Sequence, residues 1–238
     1  PVTIDELHKC LSILRSRLDG ESQLEPRLKT ALTGFMLAVG FCAGLRGEDI
    51  LKVDLGGMRS YWDEGINHPK FPHVPLILVG RFKGEKVGKI FVQPLSVCSN
   101  SGIDVRFWCY EGIITYDKLS VDSGPMFRED LKHAGKRAKM VDLDLALHEI
   151  LKEVQDLHPE VITKSVDIEE EYSIFRSLRR GVTSHAQHIK IDKAIIEANN
   201  CWRKHARSNG MLPGMSMLER YSDAKASIPT LIRFLSQL

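Results

Sequence analysis

Paired cysteines are missing from this chain. Its five cysteines, Cys10, Cys42, Cys98, Cys109 and Cys201, are odd in number and scattered, and no two form a CxxC. That pattern argues against a disulfide scaffold or a zinc site and points to free thiols in a reducing compartment. Long apolar runs are missing too. The stretch Ala31–Leu45 is shorter than the ~20 residues a bilayer span needs, and Gly34, Gly40 and Gly44 interrupt it, so no membrane partner is expected. Net charge is only +2 over 238 residues; nucleic-acid binding must therefore come from local clustering, not from a global field. There is no Walker-type loop, no GxGxxG turn and no GxSxG nucleophile elbow. Neither a signal peptide, an internal repeat nor a low-complexity tract is visible. The chain opens on Pro1, and the expectation is a fragment of a longer protein.

What is present describes an ordinary globular chain, 43% hydrophobic and 27% charged, long enough for one large domain or two small ones. Thr3 and Glu6 form a capping box ahead of a stripe of Leu7, Leu11, Leu14 and Leu18, which predicts a first helix. Gly20-Glu21-Ser22 breaks it. Pro26 suits the first turn of a second helix running to Leu45, apolar nearly all round and so central to the core. A short helix over Glu48–Val53 would carry Arg46 at its entrance. Two strand-like runs, Pro75–Phe82 and Lys89–Leu95, flank a lysine- and glycine-rich hairpin turn. Helical patterns follow over Ile103–Tyr116, Phe127–Val141, Leu143–Leu157, Leu178–Ile189 and Ile191–Asn199. The tail Ser227–Leu238 places Ile228, Leu231, Ile232, Leu235 and Leu238 on one face of a last helix. The fold class expected is mainly α with a small antiparallel β-sheet (α+β).

Charge gathers late in the sequence. Arg176, Arg179, Arg180, Arg203, Lys204 and Arg207 lie in a basic segment directly after the acidic run Asp167–Glu171. Cations at a helix start are mildly disfavoured by the helix dipole, so their gathering there suggests an anionic partner such as phosphate. Far upstream, Arg46 follows Gly44 and precedes Asp49 by three residues. The plain reading is a surface ion pair. The functional one is a guanidinium oriented by Asp49 to grip phosphate oxygens with its planar fork. Lys83, with Lys86 as its competitor, sits in the hairpin turn, either as a solvated lysine or as one that protonates a leaving oxygen. Trp202 is either a core tryptophan or an indole N–H donor to phosphate. Tyr221 stands in a polar stretch between Arg220 and Ser222, atypical of a core position, with Tyr172 as the other candidate nucleophile. His185 and His188 lie three apart but lack a partner at ligand spacing, so no metal is expected.

From about Thr3 to Tyr221 the chain resembles the catalytic domain of tyrosine recombinases, the phage-integrase family, and more closely its divergent eukaryotic transposon-type members. Ala43-Gly44-Leu45-Arg46-Gly47-Glu48-Asp49 looks like the box of the first catalytic arginine, with Asp49 as its acidic partner. Lys83 matches the catalytic lysine of the hairpin. Arg176-Ser177-Leu178-Arg179 occupies the H-x-x-R box, making Arg179 the second catalytic arginine. Trp202 fits the His/Trp position and Tyr221 the nucleophile. Two departures stand out: Arg176 replaces the usual His or Lys, and an insertion around Ala206–Pro213 lengthens the Trp202–Tyr221 spacing, leaving His205 as the alternative to Trp202.

The resemblance implies the tyrosine recombinase fold over residues 1–225, with a C-terminal helix over 226–238 docking in trans and an N-terminal DNA-clamp domain lying outside this chain. It implies site-specific recombination or integration through a 3′-phosphotyrosyl intermediate, without metal or cofactor. Arg46, Lys83, Arg176, Arg179, Trp202 and Tyr221 would act on the scissile phosphate, and Arg180, Lys86, Arg203 and Lys204 would contact DNA. The partners implied are double-stranded DNA and further copies of the chain, a tetramer on DNA. The location implied is nuclear in a eukaryote and otherwise cytoplasmic. Alternatives are an inactive, domesticated DNA-binding module of the same fold and a type IB topoisomerase-like enzyme.

Overall fold

The computed structural model describes residues 1–59, 76–79, 91–94, 98–131, 135–193 and 195–196. They are mainly helical. Helix α1 (Ile4–Gly20) begins at the capping box read from sequence: Thr3 Oγ1 accepts from Glu6 N at 3.2 Å, and Glu6 Oε2 accepts from Thr3 N at 2.7 Å. Leu7, Leu11, Leu14 and Leu18 are all buried. Helix α2 (Leu24–Cys42) is the centre of the core. Its residues Phe35, Leu37, Val39 and Phe41 have no solvent exposure, each burial favouring the fold by about 1.5–3 kcal/mol. Packed against it are α1, α4 (Val105–Lys118, capped by Asp104) and α7 (Ser177–His188). A short α3 (Gly47–Ile50) follows α2. Next come strands β1 (Leu76–Val79) and β2 (Phe91–Pro94), paired antiparallel with Leu76 opposite Pro94 and Val79 opposite Phe91. Helix α5 (Met140–Leu157) buries the stripe Leu143, Leu147, Ile150, Leu151 and Val154, and α6 (Ile168–Glu171) is a single turn made by the acidic run and capped by Asp167.

One expected helix is absent. The described residues of 127–139 are not helical. Ala138 N donates to Phe127 O at 3.1 Å and Glu129 N to Lys136 O at 3.0 Å, so Arg128 and Arg137 face each other across an antiparallel bridge. This cross-pairing uses N–H groups that a helix would have turned along its own axis. Arg128 holds the arrangement in place: its Nε donates to Pro125 O (3.2 Å), its Nη2 to Ser123 O (2.8 Å), and its guanidinium lies 4.9 Å from the centre of the Tyr116 ring. The expected helix Ile191–Asn199 falls partly outside the described residues, being helical at 193, 195 and 196. The tail helix over 227–238 lies wholly outside them.

Two close approaches set the end of α2 against its neighbours. At Gly40 a Cβ would stand 2.7 Å from Leu178 Cδ1 and 2.9 Å from Ile50 Cδ1, so the missing side chain lets α3 and α7 both close on α2. At Gly181, on α7, a Cβ would overlap the carbonyl oxygen of Val2 and stand 2.9 Å from Phe41 Cε2. Val2 is itself tied to α7, its N–H donating to Ser177 O at 3.1 Å. Helix propensity alone favours alanine over glycine by about 1 kcal/mol. Overpacking against an immovable backbone atom costs more, at the upper end of about 1–3 kcal/mol. Gly181→Ala is therefore expected to lower the urea midpoint with its slope unchanged; an unchanged or raised midpoint would contradict this packing.

Candidate functional site

Helix α2 was expected to reach Leu45 but stops at Cys42, and the way it stops builds the site. Gly44 adopts φ +60, a left-handed conformation open to glycine at little cost. Gly44 N then donates to Phe41 O and Leu45 N to Gly40 O, both at 2.9 Å, satisfying the last carbonyls of the helix in a Schellman motif. The chain turns away from the helix axis, and the Gly44 carbonyl accepts a hydrogen bond from Arg179 Nε at 2.6 Å. Arg179 lies in the first turn of α7 and is only 8% exposed. Leu178, the residue before it, is the one that fills the space at Gly40. Packing at Gly40 and hydrogen bonding at Gly44 thus fix Arg179 against the Arg46 loop.

Arg46 is half-buried and extended (φ −84, ψ 157) at the N-cap of α3. Its N–H donates to Asp49 Oδ2 at 3.4 Å. Asp49 is 4% exposed, and its other oxygen, Oδ1, faces Lys52 Nζ at 3.7 Å. Burial pushes the Asp49 carboxyl above its ordinary range, and the charges of Lys52 and Arg179, the Arg46 N–H and the Arg46 charge pull it back. One buried carboxylate thus lies in the field of three cations, Lys52 at 3.7 Å and the charges of Arg46 and Arg179, drawn from two distant parts of the sequence.

The raised carboxyl has a consequence for stability. Between the ordinary carboxylate value and the raised one, the folded chain keeps a proton that the unfolded chain has released. Stability due to this group is thus present at low pH and is lost as pH rises through the folded value. Subtracting the pH–stability profile of Asp49→Asn from that of the wild type, by urea denaturation at a series of pH values, is expected to show that decline. Parallel profiles would contradict it.

Other residues singled out from sequence stand as follows. Arg176, the N-cap residue of α7, and Arg180 are both exposed and flank the buried Arg179. Lys83, Lys86, Trp202, Arg203, Lys204, His205 and Tyr221 lie outside the described residues. Tyr172 is 7% exposed and its hydroxyl donates to Glu6 Oε1 at 2.7 Å; burial first, then the hydrogen bond to Glu6 and its charge, push its phenol upward. Its hydroxyl thus ties α1 to the segment before α7, and the raised phenol disfavours the phenolate that a nucleophile needs. Cys42, two residues before Gly44, has its thiol pushed up to about 12, mainly by burial, which leaves it inert. Among the described residues no group of side chains is placed to hold a metal ion, and no helix is long and apolar enough to cross a membrane.

Two participants were not picked out from sequence. The Gly44 carbonyl carries no side-chain signal at all. Lys52, three residues after Asp49, does carry the i,i+3 spacing of a helical ion pair. Comparison of the chain with protein-family models, with curated proteins and with solved structures returns no match.

Proposed function

We propose that this chain is the catalytic domain of a site-specific DNA recombinase or integrase with the tyrosine recombinase fold. The observation that carries the reading is the meeting of Arg46 and Arg179 around Asp49. Two arginines brought to the end of α2, Arg179 anchored there on Gly44 O, with the cations around Asp49 outnumbering it, suit a tetrahedral oxyanion. In this reading the Tyr221 hydroxyl attacks a DNA phosphorus. A Tyr–O–P bond forms, the P–O5′ bond breaks, and the strand is left as a 3′-phosphotyrosyl ester. Lys83 passes a proton to the departing 5′ oxygen, and the proton given up by the Tyr221 hydroxyl goes to solvent, from which Lys83 is reprotonated. Arg46 and Arg179 neutralise the non-bridging oxygens as charge grows on them in the transition state, and Arg176 and the Trp202 N–H assist at the phosphate. Arg180, Lys86, Arg203 and Lys204 grip neighbouring phosphates. The ester keeps the energy of the broken bond, so a 5′-hydroxyl from another strand reverses the step and recombines the two. The segment 226–238, read from its apolar spacing as a helix, would dock on a second copy and couple active sites in a tetramer.

The test is incubation with a pool of randomised, nicked duplexes, in which cleavage beside the nick releases a short fragment and traps the intermediate. A protein–DNA species that survives a denaturing gel is expected. Arg176, standing where the family has His or Lys, favours one rival, a DNA-binding module without cleavage. Retention of DNA without any denaturation-resistant species would establish that rival and overturn the recombinase reading.

A further inference from the structure

The Arg46 loop contains a cation that neither arginine box includes. Lys52 follows α3, with Nζ 3.7 Å from Asp49 Oδ1 and its side chain 26% exposed. Asp49 divides its two oxygens: Oδ2 takes the Arg46 N–H and Oδ1 faces Lys52. Arg179, anchored on Gly44 O, approaches the same carboxylate from α7. A buried carboxylate paired only with the two arginines would cancel much of the positive charge they offer to an anion. A third cation on its far oxygen offsets that cancellation.

We propose that Lys52 is a positioning residue of the anion site, acting through Asp49: it engages Oδ1, holds Oδ2 toward Arg46, and leaves Arg46 and Arg179 with positive charge to spend on a bound oxyanion. Lys52's role rests on the phosphate-binding reading above, but not on cleavage or on Tyr221. The charged groups facing Asp49 are Lys52 and Arg46 from its own loop and Arg179 from α7.

A bound anion adds negative charge beside Asp49 and so draws a proton onto it, most strongly at the pH where that carboxyl titrates. Removing Lys52 takes away the first of the charges that hold the carboxyl down, so the pH of greatest proton uptake must rise. Sulfate is a suitable probe, being a dianion throughout the range in which carboxyls titrate. Calorimetric titration of the whole chain with sodium sulfate, repeated in buffers of different ionisation enthalpy, counts the protons taken up at each pH. Wild type is expected to show an uptake maximum. Lys52→Met is expected to bind sulfate several-fold more weakly and to move the maximum to higher pH, and Lys52→Arg to restore both. A lysine that only pairs with Asp49 would move the maximum too but leave sulfate affinity unchanged, and that result also overturns its role at the anion site. Coincident maxima in wild type and Lys52→Met overturn the role of Lys52 while leaving the anion site intact. No sulfate binding by wild type overturns the anion site and Lys52's role with it. Failure to cleave DNA, with sulfate results as expected, counts against the recombinase reading alone.

Discussion

Tyr221→Phe is expected to abolish the covalent DNA adduct and leave DNA binding nearly unchanged. The substitution deletes one hydroxyl, the proposed nucleophile, and removes no cation. DNA affinity comes mainly from charge neutralisation along the phosphate backbone, so it has little reason to fall. The measurement is a denaturing gel for the adduct beside a binding titration at fixed salt. Among the described tyrosines the alternatives are few. Tyr116 is fully buried and donates to Met126 O at 2.7 Å, and Tyr172 donates to Glu6. Tyr110, at 46% exposure, is the described tyrosine left to examine if Tyr221→Phe still forms the adduct, and that result would remove Tyr221 from the mechanism.

Arg179→Ala is expected to slow adduct formation by about 10²–10³-fold, the usual consequence of deleting one group that stabilises developing charge on an oxyanion. Two effects combine here. The guanidinium is lost from the phosphate, and Asp49 loses one of the three charges that offset its burial. Arg179→Lys separates them, because it keeps a charge near Asp49 but lacks the planar fork that makes paired hydrogen bonds. Its rate is expected to fall between those of Arg179→Ala and the wild type. Single-turnover adduct formation measures all three, with circular dichroism to show that each is folded. A rate for Arg179→Ala within tenfold of wild type would place Arg179 in a packing role only.

The helical elements were legible wherever one local signal dominated. The Thr3–Glu6 box and the leucine stripe mark α1, and the helical patterns over Ile103–Tyr116 and Leu143–Leu157 mark α4 and α5 to within a few residues. Residues 127–139 were misread because the same apolar spacing also serves two short segments paired across a turn. What decides between them is the backbone pairing of Phe127 with Ala138 and of Glu129 with Lys136, supported by the bonds from Arg128 to Ser123 and Pro125, none of which apolar spacing reports. The end of α2 was placed three residues late for a related reason. Ala43-Gly44-Leu45 is apolar enough to continue a helix, and only the left-handed turn at Gly44 ends it.

Of the groups that meet at the Gly44–Asp49 loop, the side chains were singled out from sequence and the backbone was not. Arg46, Asp49 and Arg179 could be picked out by residue type, order and spacing, because a fixed planar cation and an acid at i+3 imply a chemistry. The bond from Arg179 to Gly44 O could not be, since every residue has a carbonyl and only the fold determines which one turns inward. Lys52 lay between these cases: its spacing from Asp49 was visible, but a lysine three residues beyond an aspartate is ordinary on any helix surface. The burial of Asp49 gives it weight, and burial is a property of the packed structure.

The Gly44–Asp49 loop and the start of α7 are proposed to form one oxyanion site. The most direct measurement is diffraction from crystals soaked in sodium tungstate, a tetrahedral oxyanion whose metal gives a strong anomalous signal. One dominant peak is expected, with oxygens within hydrogen-bonding distance of both Arg46 and Arg179, and absent from Arg179→Ala crystals. A dominant peak elsewhere on the chain, with none between the two arginines, would contradict it.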